Sequence, residues 1–149
     1  MNALRLGEVS GRINDALGLA SAVQAHEVAE MLPSGAGLYA IWSDATLLYI
    51  GKSSDSVGVR RRVLGHLHLP GGKPRPNETL PLLLLDRIIR PNMRGDRADF
   101  LRARCLFAGW AWDRTETLGT WESKAIQHGV AGHRPLCNWP AYLASQTTD

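Results

Sequence analysis

The sequence predicts a domain of mixed α/β class, and two stretches of hydrophobic residues carry this prediction. Between Leu38 and Ile50 the residues are mostly apolar, aromatic or β-branched around a short polar centre, which is typical of two strands joined by a tight loop. The apolar positions Val59, Val63 and Leu67 that follow are spaced four apart, which indicates a helix. A chain of 149 residues is long enough to bury one ordinary core.

Composition excludes several classes of protein. The hydrophobic fraction of 44% and the charged fraction of 21% are typical of a soluble globular protein, and no apolar run reaches the ~18 residues of a membrane span. The amino terminus lacks the apolar run of a signal peptide. Cys105 and Cys137 fit neither a disulfide framework nor a zinc site. We therefore expect a cytoplasmic protein without membrane contact, and its net charge of +3 permits a polyanionic partner without requiring one.

Residues 1–32 are predicted to form a helical extension that precedes the main domain. Val9, Ile13 and Leu17 recur at intervals of four, and Gly18 is expected to break or bend the helix after them. This extension has three possible uses, which are packing on the sheet, forming a dimer surface and touching a substrate. We favour packing on the sheet.

The second half of the chain continues the alternation of helices and strands. A helix is predicted over about residues 79–89, and the alternating side chains of residues 100–107 favour a third strand. The last predicted helix covers residues 121–128, with its start in the region of residues 117–120. Periodicity alone leaves the order of the strands open.

A local excess of positive charge surrounds the predicted helix at residues 79–89. Two interpretations stay open for these side chains, because a positive face can simply be solvated or can bind the phosphate backbone of a nucleic acid. The residues concerned are Lys73, Arg75, Arg87, Arg90, Arg94 and Arg97.

Several short motifs follow one another along the chain, each of them once. They are Gly37-Leu38-Tyr39, Tyr49-Ile50-Gly51, the pair Arg62 and His66 on one helix face, Glu122 at an apparent helix start, and Pro135-Leu136-Cys137-Asn138. This ordered set resembles the GIY-YIG nuclease family, with Leu38 in place of the family's Ile. The resemblance implies a GIY-YIG-like nuclease domain over residues 33–149, built on a small, mainly antiparallel three-stranded sheet flanked by helices.

The resemblance also implies roles for three charged or titratable residues. Glu122 is expected to hold Mg²⁺ or Mn²⁺, since one carboxylate with waters and substrate oxygens is a usual way to bind this kind of ion. Arg62 is expected to clamp the scissile phosphate, and His66 to orient water or Tyr39 or to assist proton transfer. Each also has an ordinary explanation, because an acidic residue in a first helical turn complements the helix dipole and the other two suit a basic surface.

The two tyrosines and two further residues complete the expected site. Tyr39 is the candidate general base, and because a free phenol has a pKa of about 10 it needs positive charge nearby, for which Lys52 is the candidate source. Tyr49 is expected to position water or phosphate, and Asn138 to organise the site through hydrogen bonds. The plain alternatives are two packed strand tyrosines and a turn asparagine.

The expected function is a divalent-metal-dependent endonuclease that hydrolyses phosphodiester bonds, with DNA as the expected substrate and RNA as the alternative. Two alternatives are a catalytically inactive nucleic-acid-binding module of the same fold and a structural domain whose motif matches are accidental. Because the chain has no room for a large specificity domain, specificity is expected to come from residues 1–32, from the basic segment 70–97, from a homodimer or from a separate partner. The catalytic side chains are expected to converge on one concave face.

Overall fold

A computed structural model describes residues 6–54, 56–72 and 97–138 of the chain. Its elements follow one another as α1 (Leu6–Leu17), a 3₁₀ turn (Leu19–Ser21), β1 (Val23–Gln24), a second 3₁₀ turn (Ala25–Glu27), α2 (Val28–Met31), β2 (Gly37–Ser43), β3 (Thr46–Ser53), α3 (Val59–His66), α4 (Arg97–Arg104), β4 (Cys105–Ala111) and α5 (Thr115–His128). The mixed α/β class and the hairpin followed by a helix are confirmed. The predicted helix at residues 79–89 lies outside the described residues.

The strands form one antiparallel sheet in the order β1-β4-β2-β3. The described sheet therefore has four strands, and the prediction of three was wrong. The additional strand is the two-residue β1, which pairs Val23 with Phe107 and Gln24 with Leu106. A strand of two residues is too short for a period-two pattern, so only its pairing with β4 reveals it.

The amino-terminal segment is helical only in part. α1 ends at Leu17, and a Cβ on the next residue, Gly18, would lie 2.7 Å from the backbone oxygen of Asn14, so glycine fits this helix end. Val9, Ile13 and Leu17 are buried together with residues of the sheet, as expected of a helix that packs on it.

The prediction of a strand at residues 100–107 was wrong for its first half, residues 100–104. α4 extends to Arg104, and β4 starts only at Cys105. Tertiary packing overrides the local alternation, because Phe100 and Leu101 are both buried and the Arg102 guanidinium donates a hydrogen bond to the carbonyl oxygen of Leu67.

The last helix starts six residues earlier than predicted, at Thr115. Its start is fixed by two side-chain contacts, since Thr117 Oγ1 donates to the Arg114 carbonyl oxygen at 2.9 Å and accepts a hydrogen bond from Trp112 Nε1 at 2.9 Å. Glu122 consequently lies in the middle of α5. Its interpretation as a first-turn carboxylate that complements the helix dipole therefore loses its basis.

The two faces of the sheet carry separate cores, because neighbouring residues of a strand point to opposite faces. Tyr39 and Ile41 belong to the core under α2, α3 and α4, whereas Leu38, Ala40 and Trp42 belong to the core under α1 and α5. Within the described ranges, no helix is both long and apolar enough to cross a membrane. The two cysteines are free thiols in the interior.

Candidate active site

The ring of Tyr39 crosses the backbone of the edge strand β3 at Gly51. The two residues are partners in the β2–β3 ladder, and a Cβ on Gly51 would lie 2.4 Å from Cζ and 2.5 Å from the hydroxyl oxygen of Tyr39. A side chain at this position would therefore displace the ring. Since β3 is the last strand of the sheet, this crossing brings the Tyr39 hydroxyl to the sheet edge.

Helix α3 places an arginine and a histidine against this hydroxyl. His66 Nε2 lies 2.8 Å from the Tyr39 hydroxyl oxygen, which is hydrogen-bonding distance, and Arg62 lies one turn earlier on the same face of α3. Both side chains are almost fully buried, with exposed fractions of 7% for His66 and 8% for Arg62. The Tyr49 ring completes the group, with its centroid 6.0 Å from that of Tyr39 and 6.4 Å from that of His66.

The backbone before β2 fixes where α3 begins. The Val59 N–H donates to the Gly35 carbonyl at 2.9 Å, and the next N–H, of Arg60, donates to the Pro33 carbonyl at 2.9 Å. Gly58 before the helix has φ +86°, and a Cβ there would lie 2.0 Å from the Ser34 carbonyl oxygen. The N–H groups at this helix start are thus hydrogen-bonded to the loop that enters β2, which ties α3 to the hairpin.

The surroundings keep the proton on Tyr39. Burial away from water raises the pKa of Tyr39 well above its ordinary value, and the neighbouring Tyr49 raises it further. The positive charge of Arg62 lowers that pKa, and the negative charge of Glu122 raises it. At neutral pH the phenol is therefore protonated, and its hydroxyl shares a hydrogen bond with His66 Nε2 in which the tautomer of the imidazole decides the donor.

Lys52 is placed differently from the sequence-based expectation. It was expected to supply the positive charge for Tyr39, but that charge comes from Arg62. Because Lys52 follows Gly51 on the strand, it points to the opposite face and reaches α5, where its Nζ would lie 3.3 Å from a Cβ on Gly119. The charge that Lys52 influences there is that of Glu122, whose pKa it lowers.

Glu122 approaches the group from the other layer of the fold. Its helix α5 packs on the face opposite to Tyr39, through Leu118, Trp121 and Ala125. Glu122 is nevertheless close enough to Tyr39 to raise the pKa of the phenol. The expectation that the catalytic candidates converge on one face was therefore wrong for Glu122, which lies in the opposite layer and influences Tyr39 electrostatically across the edge strand β3.

The carboxylate of Glu122 suits a divalent cation. Burial raises the pKa of Glu122 above its usual range, so the negative charge is poorly solvated and gains from a cation beside it. Among the described residues there is no cluster of three or more His, Cys, Asp or Glu side chains that could hold a metal. A metal here would thus be held by Glu122 with waters and substrate oxygens, which is a usual arrangement for Mg²⁺.

Asn138 hydrogen-bonds to the backbone of β3 next to Gly51. Its Oδ1 accepts from the Ile50 N–H at 2.6 Å and its Nδ2 donates to the Ile50 carbonyl oxygen at 2.9 Å. The residues before it continue this pairing, since the N–H groups of Leu136 and Cys137 donate to the carbonyls of Leu47 and Leu48. No local pattern indicates a contact between residues 88 positions apart. The segment closes the free edge of β3 up to the point where Tyr39 crosses it.

Similarity to known proteins adds nothing to this geometry. No protein-family model, curated protein or solved structure matches the chain. The chemistry of the site therefore rests on the positions of its own residues.

Of the six residues predicted to form a basic segment, the structure describes only Arg97. Arg97 is the first residue of α4 and is half-buried. The remaining five side chains of this prediction, Lys73, Arg75, Arg87, Arg90 and Arg94, lie outside the described residues. Their role in nucleic-acid binding stays a prediction.

Proposed function

We propose that this protein is a divalent-metal-dependent endonuclease of the GIY-YIG type that hydrolyses phosphodiester bonds, with DNA as its substrate. The observation that carries the proposal is the 2.8 Å hydrogen bond between Tyr39 and His66, which lies within the electrostatic reach of Arg62 and Glu122. A buried tyrosine and histidine in hydrogen-bond contact can move a proton, and the two charges beside them suit a phosphate and a cation.

Tyr39 and His66 act together in the proposed mechanism, because the raised pKa of Tyr39 keeps the phenol protonated and leaves almost no phenolate to act as a base alone. The phenol transfers its proton to His66 Nε2 while its oxygen accepts a proton from the attacking water. The resulting hydroxide forms a bond to phosphorus as the bond from phosphorus to the leaving oxygen breaks. His66 later releases its proton to solvent or to the leaving oxygen, which completes the proton balance.

Arg62 and Lys52 have separate electrostatic roles in this scheme. Arg62 lowers the pKa of Tyr39, which favours the transient loss of the phenolic proton, and its guanidinium fork matches two oxygens of a phosphate. Lys52 lowers the pKa of Glu122 and so keeps that carboxylate available as an anion. Glu122 would hold a Mg²⁺ or Mn²⁺ ion, which would supply positive charge for the phosphate oxygens as negative charge develops on them.

The substitution Glu122→Gln tests the proposal, because it keeps the size of the side chain and removes its charge. We expect Mg²⁺-dependent nicking of plasmid DNA to fall by at least about a hundredfold, which corresponds to roughly 3 kcal/mol of transition-state stabilisation. Duplex affinity measured in Ca²⁺ should change far less, since the metal acts mainly on charge that develops in the transition state.

The thermal stability of Glu122→Gln provides a second measurement, and it should not fall as cleavage does. The folded-state pKa of Glu122 is raised, so its ionised form disfavours folding above the usual carboxyl range, and this penalty disappears as the pH falls below that range. Glu122→Gln should therefore have a Tm equal to or higher than that of the wild type at neutral pH. A loss of cleavage with a lower Tm would instead indicate a structural role.

A matched control lies on the same helix. Glu116 is an exposed residue in the first turn of α5, and Glu116→Gln should cleave as the wild type does. Near-normal cleavage by Glu122→Gln would remove Glu122 as the metal ligand and contradict the proposal. A wild-type protein that binds duplex DNA but never cuts it with Mg²⁺ or Mn²⁺ would support the alternative of an inactive binding module.

A further inference from the structure

A cationic pocket lies at the end of the sheet where β2 begins and β4 ends. It has a volume of about 510 Å³, and its lining includes Arg12 of α1 together with Trp112, Asp113 and Arg114 before α5. The pocket adjoins the sheet directly, because the N–H of Trp112 donates to the carbonyl oxygen of Ala36 at 2.9 Å. The pocket takes no part in the proton transfer proposed above.

The aromatic wall of this pocket is rigid. Trp112 is 9% exposed, its ring stacks on that of Trp110 at 4.7 Å between centroids, and its Nε1 donates to Thr117. The guanidinium carbon of Arg114 lies 5.6 Å from the centre of the Trp112 ring, within the range of a cation–π contact. A guanidinium held in this way loses less conformational entropy when it binds a ligand. Its N–H groups remain able to donate hydrogen bonds.

The charges of the pocket favour an anion. Arg12 is exposed, and it makes no hydrogen bond or ion pair with any other residue of the described ranges. Asp113 contributes one opposing carboxylate, but no ion pair joins it to Arg12 or Arg114 within those ranges. Two guanidinium groups against one exposed carboxylate leave a net positive charge, and planar guanidinium groups match the oxygens of a phosphate.

The lengths of two backbone segments give the spacing between this pocket and the candidate active site. Arg114 is the residue before α5 and precedes Glu122 by eight positions, which at about 1.5 Å per residue is about 12 Å. Ala36 is the residue before β2 and precedes Tyr39 by three positions, which at about 3.3 Å per residue is about 10 Å. A DNA strand places one phosphate about every 3.4 Å along the helix axis, and neighbouring phosphates lie farther apart than this along the backbone, so either distance spans only a few nucleotides.

We propose that Arg12 and Arg114 bind a backbone phosphate of the nucleic-acid substrate, within a few nucleotides of the phosphate held at Arg62. This inference rests on the proposed nuclease function and assigns the pocket a share in substrate positioning. Contacts of this kind set the register of the protein on the strand and carry no base specificity.

The test measures duplex binding in Ca²⁺ as a function of salt for Arg12→Gln and Arg114→Gln. Each variant should bind roughly tenfold more weakly at low salt, and the slope of log affinity against log salt should become less steep by about one phosphate contact. The cleavage rate at saturating DNA should be unchanged, because the contact is made equally in the ground and transition states. Arg104→Gln is the matched control, since Arg104 is exposed and precedes Cys105, which pairs with Ser43 at the opposite end of β2.

Single neutral methylphosphonate groups, placed one position at a time along the duplex, locate the contact. At one position within a few nucleotides of the cut, the neutral group should weaken wild-type binding and should cause no additional loss in Arg114→Gln. The variant Arg114→Lys keeps the charge without the planar fork, so it should retain the salt slope and only part of the affinity. Tm values for all variants identify any loss that results from unfolding.

The possible failures are distinguishable. Cleavage with the same salt slope in Arg12→Gln, Arg114→Gln and the wild type would overturn the phosphate site and leave the nuclease proposal intact. Binding that depends on Arg114 without any cleavage would overturn the nuclease proposal and retain the phosphate site. A protein that binds no duplex at all would overturn both.

Discussion

The close contact between Gly51 and Tyr39 makes Gly51→Ala the most informative small change in the molecule. The added methyl group would lie 2.4 Å from Cζ of Tyr39, and ordinary contact begins at 3.4 Å, so the ring must retreat by about 1 Å. A hydrogen bond of 2.8 Å between Tyr39 and His66 does not tolerate a shift of that size. A misplacement of ~1 Å at a reacting group costs on the order of a hundredfold in rate.

The assay for Gly51→Ala is Mg²⁺-dependent plasmid nicking at saturating protein, run well below the Tm of the variant. Overpacking of a buried site costs about 1–3 kcal/mol, and each kcal/mol lowers the Tm of a domain of this size by roughly 2–4 °C. Gly11→Ala is the control, because its Cβ meets nothing within 4 Å and α1 should gain up to about 1 kcal/mol from alanine. Wild-type nicking and Tm in Gly51→Ala would show that catalysis does not need Tyr39 in this position.

Three further predictions concern the strand edge, the basic segment and the thiols. Asn138→Ala removes two hydrogen bonds to the backbone of β3, so the free energy of unfolding should fall by about 2–3 kcal/mol; a Tm equal to that of the wild type would show that the edge is held by other contacts. Neutralising Arg87, Arg90 and Arg94 together should weaken DNA binding and flatten its salt dependence with little change in turnover at saturation, whereas an unaltered slope would assign these side chains to a solvated face. Burial raises the pKa of Cys105 to about 12, so a thiol reagent at pH 8 should modify it only after unfolding, and rapid modification of the native protein would contradict its burial.

The local elements that carry Tyr39 and His66 were predictable because their signals lie within a few residues. The two mostly apolar, aromatic or β-branched runs between Leu38 and Ile50 indicate the hairpin, and the two-residue turn at Asp44, whose φ is +52°, connects its strands. The spacing of Arg62 and His66 places both on one face of a helix. Periods of two and of 3.6 residues are properties of the backbone, and a sequence shows them without any tertiary information.

The boundaries that failed were those decided by contacts between distant segments. β1 is defined by its pairing with β4, and residues 100–104 are helical because Phe100 and Leu101 pack into the core while Arg102 hydrogen-bonds to the end of α3. The early start of α5 depends on Trp112 and Thr117. In each case packing outweighs a local preference of a fraction of a kcal/mol per residue.

The sequence by itself determined which residue types are present for the proposed phosphate chemistry and which of them are neighbours on one strand or helix. Only the tertiary structure decided that Glu122, on a helix of the opposite layer, approaches Tyr39 across the edge strand, and that Lys52 acts on Glu122 rather than on the phenol. The physical reason is that pKa shifts depend on burial and on distances between charges, both of which arise only when the layers pack together. The spacing of residues in a sequence predicts to which side of its own strand or helix a side chain points, but it does not predict which distant residues that side chain contacts.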